Sequence, residues 1–164
     1  MKQYTGRERV MLAYSRQHAD RIPTDIQGIN IGPRILGFTR RQLATDPQKA
    51  TAALISFHIC GYLDPIMEDI VSTGVDGVSI DERSSLKKMF ETSRGRTVVI
   101  GNIAPMLFAD GTKEDIEAAV KECMDIAAGE SGYILSSGCA IPPHTPLENM
   151  KYFMEAAEKY GRYA

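Results

Sequence analysis

From Ser56 onward the chain alternates short apolar runs with amphipathic stretches, and this strand-then-helix rhythm restricts the possible folds more than any other feature. The runs SFHIC, DGVSI, TVVIGNI and GYILSSG read as strands, and helices open after them near Leu63, Ser84, Thr112 and Thr145. The strands are apolar throughout rather than half polar, the pattern of a parallel sheet covered by helices. TKEDIEAAVKECMDIAAG is the clearest helix, with a Thr cap, Glu and Asp in its first turn and Gly129 past its end. Upstream come a helix over about 6–19, a short strand over 21–26 and a loop marked by Gly28, Gly32, Pro33 and Gly37. TDPQKATAALI then reads as a helix capped by Thr45 or Asp46, with Pro47 at its first position, which completes one further βα unit. Five βα units in all predict an α/β fold with a parallel sheet.

A domain of about 150 residues hides about 70% of its unfolded surface, so the 164 residues are expected to form a single domain. Within it, 1–55 holds the N-terminal helix and first βα unit, and 56–164 holds the other four units. The 19 basic and 21 acidic residues are mixed along the chain for a formal net charge of -2, which leaves no basic stripe for nucleic acid and no polybasic membrane patch. No apolar run approaches the roughly 20 residues of a membrane span, and no apolar segment follows the first charges, so a cytoplasmic chain is expected. The 3 cysteines, at 60, 123 and 139, are too few and too far apart for a disulfide framework and fit a metal ligand or reactive thiolate in a reducing compartment.

In a parallel βα array, ligands and chemistry collect at the carboxyl ends of the strands. There this sequence places His58-Ile59-Cys60-Gly61, Asp81-Glu82, Gly101-Asn102 and Ser136-Ser137-Gly138-Cys139. Alternate residues of a strand share a face, so His58 and Cys60 can aim at one ion, with Cys139 completing the cluster and Asp81 as a fourth ligand when no substrate is bound. The same residues fit a buried histidine and two inert core thiols, and the H-x-C spacing alone does not separate the two readings. Asn102 can hydrogen-bond a substrate at the rim or hold a turn. Cys123 reads as a packing residue inside a helix and His144 as a loop residue. His18 is expected to close the first helix, and Gly138 to permit a close backbone approach.

The surrounding sequence favours the first reading. HICGYLDPIMEDIVSTGVDGVSIDE, then VVIGNIAP, then YILSSGCAIPPHTPLENMKYFMEAA resembles the C-terminal half of methylcobalamin:coenzyme M methyltransferases within the uroporphyrinogen decarboxylase-like superfamily. GRERVMLAYSRQHADRIPTDIQG is similar to the start of the same proteins. The likeness is continuous over about 56–163 and carries HxCG, GN and GCxIPPxTPLEN in order. It implies a (β/α)8 TIM-type barrel and a zinc site on His58, Cys60 and Cys139, with the following carboxylate on Asp81. The family usually has Glu there, so Asp81 reaches one methylene less far. The resemblance implies a zinc-bound thiol that accepts a methyl group from methylcobalamin, a corrinoid carried by a partner protein; the acceptor would be a small thiol or a pterin.

The decarboxylases of the superfamily carry a histidine where this chain has Cys139, and an arginine-containing loop where it has Gln27-Gly28-Ile29-Asn30, so porphyrin decarboxylation is the less favoured function. A further alternative is a non-catalytic zinc-binding or assembly remnant. A full barrel takes about 250 residues, and TAALI runs almost directly into SFHIC, so the family's second to fourth units are missing and the barrel is incomplete. Loss of three units is expected to leave strand edges and an apolar inner face exposed, which predicts a homodimer.

Overall fold

The structure is a computed structural model that describes residues 3–24, 56–127 and 131–162. Its centre is a four-stranded parallel sheet: β1 (Ser56–Ile59), β2 (Gly77–Ile80), β3 (Val98–Ile103) and β4 (Tyr133–Ser137), in sequential order. The helices are α1 (Gly6–Tyr14), α2 (Met67–Ser72) entered through a 3-10 turn at Asp64–Ile66, α3 (Leu86–Ser93), α4 (Pro105–Asp110), α5 (Lys113–Ile126) and α6 (Leu147–Tyr160). Each strand is thus followed by helix before the next parallel strand, as the apolar runs require. This is the α/β architecture expected, in the form of an incomplete (β/α)8 barrel.

The strand expected at 21–26 begins on the outer side of β4. Leu135 N–H donates to the Pro23 carbonyl at 3.0 Å, and Thr24 bridges Leu135 in parallel. A first strand beside the last is the closure of a barrel, and the sheet keeps that neighbour relation. The loop glycines from Gly28 to Gly37, the TDPQKATAALI helix and Gly129 lie outside the described residues.

Period-two alternation gives the sheet two distinct faces. Val78, Ile80, Val99, Ile103, Tyr133 and Leu135 join the main core with the helices. The intervening Val98, Ile100 and Ile134 face the other way and pack on Ala13, Val10 and Tyr14 of α1. The expected exposed inner face is therefore corrected for these residues: α1 covers them, leaving Val98 0%, Ile100 7% and Ile134 3% exposed. At the β1 edge, by contrast, Phe57 remains 41% exposed.

Local signals explain the helix ends. Thr5 with Glu8 and Thr112 with Asp115 form capping boxes, and Ser85 accepts from Lys88 N–H. The first helix is shorter than the expected 6–19: it ends at Tyr14, and Arg16 takes a left-handed φ of 54° while its guanidinium binds the Gly95 and Arg96 carbonyls. His18 thus lies past the helix rather than closing it. α4 was not foreseen, because its six residues are too few for a periodic pattern. It forms because Pro105 starts it, Phe108 packs 5.1 Å from Phe153, and Asn149 donates to the Phe108 and Gly111 carbonyls at 3.0 Å.

Candidate metal centre

His58 and Cys60 occupy the same side of the β1 end, with Ile59 turned toward the helix layer. The His58 Nε2 to Cys60 Sγ distance is 3.2 Å, and Cys60 Sγ to Cys139 Sγ is 3.6 Å. The ligand atoms of these three residues all lie within 4.8 Å of one another, and none of the three cysteines is in a disulfide. Two sulfurs each about 2.3 Å from a tetrahedral ion stand about 3.8 Å apart, and an imidazole nitrogen and a sulfur about 3.6 Å apart. Two of the three donor–donor distances are therefore close to the edges of a zinc tetrahedron, the third lies within 4.8 Å, and the NS2 chemistry suits that ion. His58 and Cys60 are exposed and Cys139 half-buried, so the open corner faces solvent.

Two turns put the sulfurs there. Gly61, at φ 96°, reverses the chain directly after Cys60. Its N–H donates to Asp81 Oδ2 at 2.8 Å, and its carbonyl accepts from Ser84 Oγ at 2.9 Å. Gly138 brings the β4 end against the turn after β2: its N–H donates to Ile103 O at 2.7 Å, and a Cβ at this position would stand 2.6 Å from Glu82 N. The expected close approach at Gly138 is real and is made to the Asp81–Glu82 backbone.

Asp81 does not join the three donors. Its carboxylate is 2% exposed and accepts from Gly61 N–H, from Arg83 N–H at 2.9 Å and from Arg83 Nε at 3.2 Å. Burial opposes its charge, but the backbone donors of Arg83 and Gly61 outweigh it and hold the carboxyl below its ordinary range. Cys60 is pushed up, first by the hydrogen bond with Cys139, then by burial. Asn102 uses its amide to donate to Asp81 O at 3.2 Å and Ser84 O at 2.8 Å, which holds the turn after β2. Cys123 is buried in α5, and burial raises its thiol. His144 is exposed in the loop before α6, outside the donor group.

Sequence reasoning missed Ser79 and Ser84. Ser79 is the register partner of His58 and stands with its Oγ 3.0 Å from His58 Nδ1. Its signal was present, because a residue two before Asp81 on a parallel neighbour must share the His58 face. Ser84 was read only as a helix start; the cap is Ser85, and Ser84 accepts from Leu63 N–H at 2.9 Å.

The family model for uroporphyrinogen decarboxylase (URO-D) matches residues 8–160. The methylcobamide:CoM methyltransferase MtbA of Methanosarcina acetivorans is 34% identical over 104 residues, 63% of this chain and 29% of that protein. The uroporphyrinogen decarboxylase of Schizosaccharomyces pombe is 31% identical over 97 residues, 58% of this chain and 27% of that protein. Among solved structures, a methyltransferase from Methanosarcina mazei superposes with a TM-score of 0.60 at 26% identity, covering 94% of this chain and 47% of that one. The chain spans about a third of the length of the curated relatives it matches.

Proposed function

We propose that this chain, which belongs to the uroporphyrinogen decarboxylase family, carries the metal centre of a zinc-dependent, corrinoid-linked methyltransferase, with His58, Cys60 and Cys139 holding the ion. The observation that carries this reading is the gathering of one nitrogen and two sulfurs within 4.8 Å of one another at the rim of the sheet, with two of the distances at 3.2 and 3.6 Å. Zinc bound there would hold an acceptor thiol as its thiolate, ready to take a methyl group from a methylated corrinoid.

The chain's own residues supply the rest. Two cysteine thiolates and a neutral imidazole would cancel the charge of the ion, so an added thiolate would stay electron-rich. Asp81, which accepts from Gly61 N–H directly after Cys60, would be the fourth ligand when no substrate is bound. Asn102 supports the same turn, and its place on the rim keeps it a candidate for substrate contact. The acceptor would be a small thiol or a pterin, the methylcobalamin would arrive on a partner corrinoid protein, and the setting would be cytoplasmic. Two copies would pair through the exposed β1 edge, for which light scattering should return about twice the 18.1 kDa of one chain.

The test is metal analysis of chain purified without chelator, followed by a methyl-transfer assay with methylcobalamin and a small thiol. About one zinc per chain with turnover is the expected result. Zinc without turnover would support the second reading, a non-catalytic zinc-binding or assembly remnant. No zinc at all would overturn both, and porphyrinogen binding would then revive the decarboxylase.

A further inference from the structure

We infer that Ser79 and Ser84, two buried hydroxyls outside the donor set, are positioning residues that preset His58 and Cys60 for the metal. The inference rests on the zinc reading above.

Ser79 is 3% exposed and stands in register opposite His58, with Oγ 3.0 Å from His58 Nδ1. A neutral imidazole has one N–H and one lone pair, and the partner of one nitrogen decides which it keeps. With Nδ1–H donating to Ser79 Oγ, the lone pair is left on Nε2, the nitrogen 3.2 Å from Cys60 Sγ. Ser79 thus holds the plane of the ring and, by accepting from Nδ1–H, supports the tautomer that leaves Nε2 for the metal, the task that hydrogen-bond partners of ligating histidines perform.

Ser84 performs the matching task for the sulfur. It is 4% exposed, and its Oγ accepts from Leu63 N–H and donates to Gly61 O, each at 2.9 Å. With Asp81 Oδ2 on Gly61 N–H at 2.8 Å, both polar groups of Gly61 are tied to the turn after β2. That turn is itself held by the Asn102 amide. Cys60 is therefore followed by a residue held at both its N–H and its C=O. Burial alone does not explain these serines: Thr97, Ser136 and Ser137 have buried hydroxyls with no partner among the described residues.

The test uses the full chain with cobalt(II) as the probe, read by its thiolate-to-cobalt charge-transfer absorption, with denaturant midpoints of the metal-free proteins alongside. Ser79→Ala and Ser84→Ala are each expected to weaken cobalt(II) binding about 10- to 100-fold, while Thr97→Val, which removes a buried hydroxyl far from the rim, leaves it unchanged. Nitrogen-15 NMR of the metal-free chain should place the His58 proton on Nδ1, moving toward Nε2 in Ser79→Ala. Alanine variants that bind cobalt(II) as tightly as the wild type would overturn the inference. If Ser84→Ala does not fold, Ser84→Thr, which keeps the hydroxyl, should bind like the wild type, and a ten-fold loss there would overturn the Ser84 part. If the wild type itself fails to bind cobalt(II), the zinc reading fails; the NMR signal still decides whether Ser79 orients His58, with a proton found on Nε2 overturning it.

Discussion

Replacing Gly138 by alanine should damage fold and metal site together, because one contact serves both. The added Cβ would meet Glu82 N at 2.6 Å and the Asp81 carbonyl carbon at 3.2 Å. These are backbone atoms of a turn that already carries the Asp81 and Asn102 hydrogen bonds, so no flexible side chain can move aside. Reaching the 3.4 Å of ordinary contact requires the β4 end to retreat by about 0.8 Å, a strain of about 1–3 kcal/mol. Cys139 is the next residue, so the same retreat would displace its sulfur from a position 3.6 Å from Cys60 that is close to the roughly 3.8 Å two thiolates on one zinc require. Urea unfolding of the metal-free protein and zinc competition against a chromophoric chelator measure the two effects separately. The expected result is a lower midpoint and zinc affinity reduced more than ten-fold. Gly6→Ala is the control: nothing stands within 4 Å of its Cβ position, and stability should change by less than about 0.5 kcal/mol or rise. A Gly138→Ala protein with the parent's midpoint and zinc affinity would refute the account of how Cys139 is placed.

Cys139→Ser should weaken zinc binding far more than Cys123→Ser in the same competition assay, since only Cys139 lies among the donors; equal losses would remove Cys139 from the site. Asp20 is held down to about 2 from 3.8, first by its hydrogen bond from Arg9, with burial opposing. A depressed carboxyl stabilises the fold above its unfolded value and loses that contribution as pH falls toward 2. Asp20→Asn should therefore cost about 1 kcal/mol at neutral pH, after allowance for partial solvent screening, and flatten the acid limb of the stability curve below about pH 4. Phe108→Ala, which empties a site 1% exposed beside Phe153, should cost about 3–5 kcal/mol in thermal or urea unfolding.

The legible parts of this chain were those where one residue type has one use. The four apolar runs became β1 to β4 within a residue or two of their expected limits, β2 to β4 as buried strands and β1 as the exposed edge. Thr112 with Asp115 announced α5 because a hydroxyl three residues before a carboxylate satisfies two N–H groups at once. The pairing of His58 with Cys60 followed from strand alternation, and the role of Gly138 from its lack of a side chain. Serine is less informative, because a hydroxyl can cap, bridge or simply be buried. Nothing local distinguishes Ser79 and Ser84, which tie the site, from Ser136 and Ser137, which have no partner among the described residues. The early end of α1 was also hidden, since it depends on Arg16 reaching carbonyls 79 and 80 residues away.

The sulfur pair also constrains the shape of the sheet. Cys60 follows β1 and Cys139 follows β4, strands at opposite ends of the sequential order. Neighbouring strands lie about 4.8 Å apart, so in a flat sheet those ends would be about 14 Å from each other, and side chains standing perpendicular to it would stay that far apart. The observed 3.6 Å requires the strand ends to curve toward one another and their following residues to turn inward over the rim. That curvature is the curvature of a barrel, and α1 supports it from inside by filling the concave face with Ala13, Val10 and Tyr14. Gly61 and Gly138 complete it at the rim, one reversing the chain after Cys60 and the other letting the β4 end close on Glu82. Among the described residues, the donor triad is thus carried by the ends of β1 and β4, brought together by the curvature of the four strands and by the turn after β2.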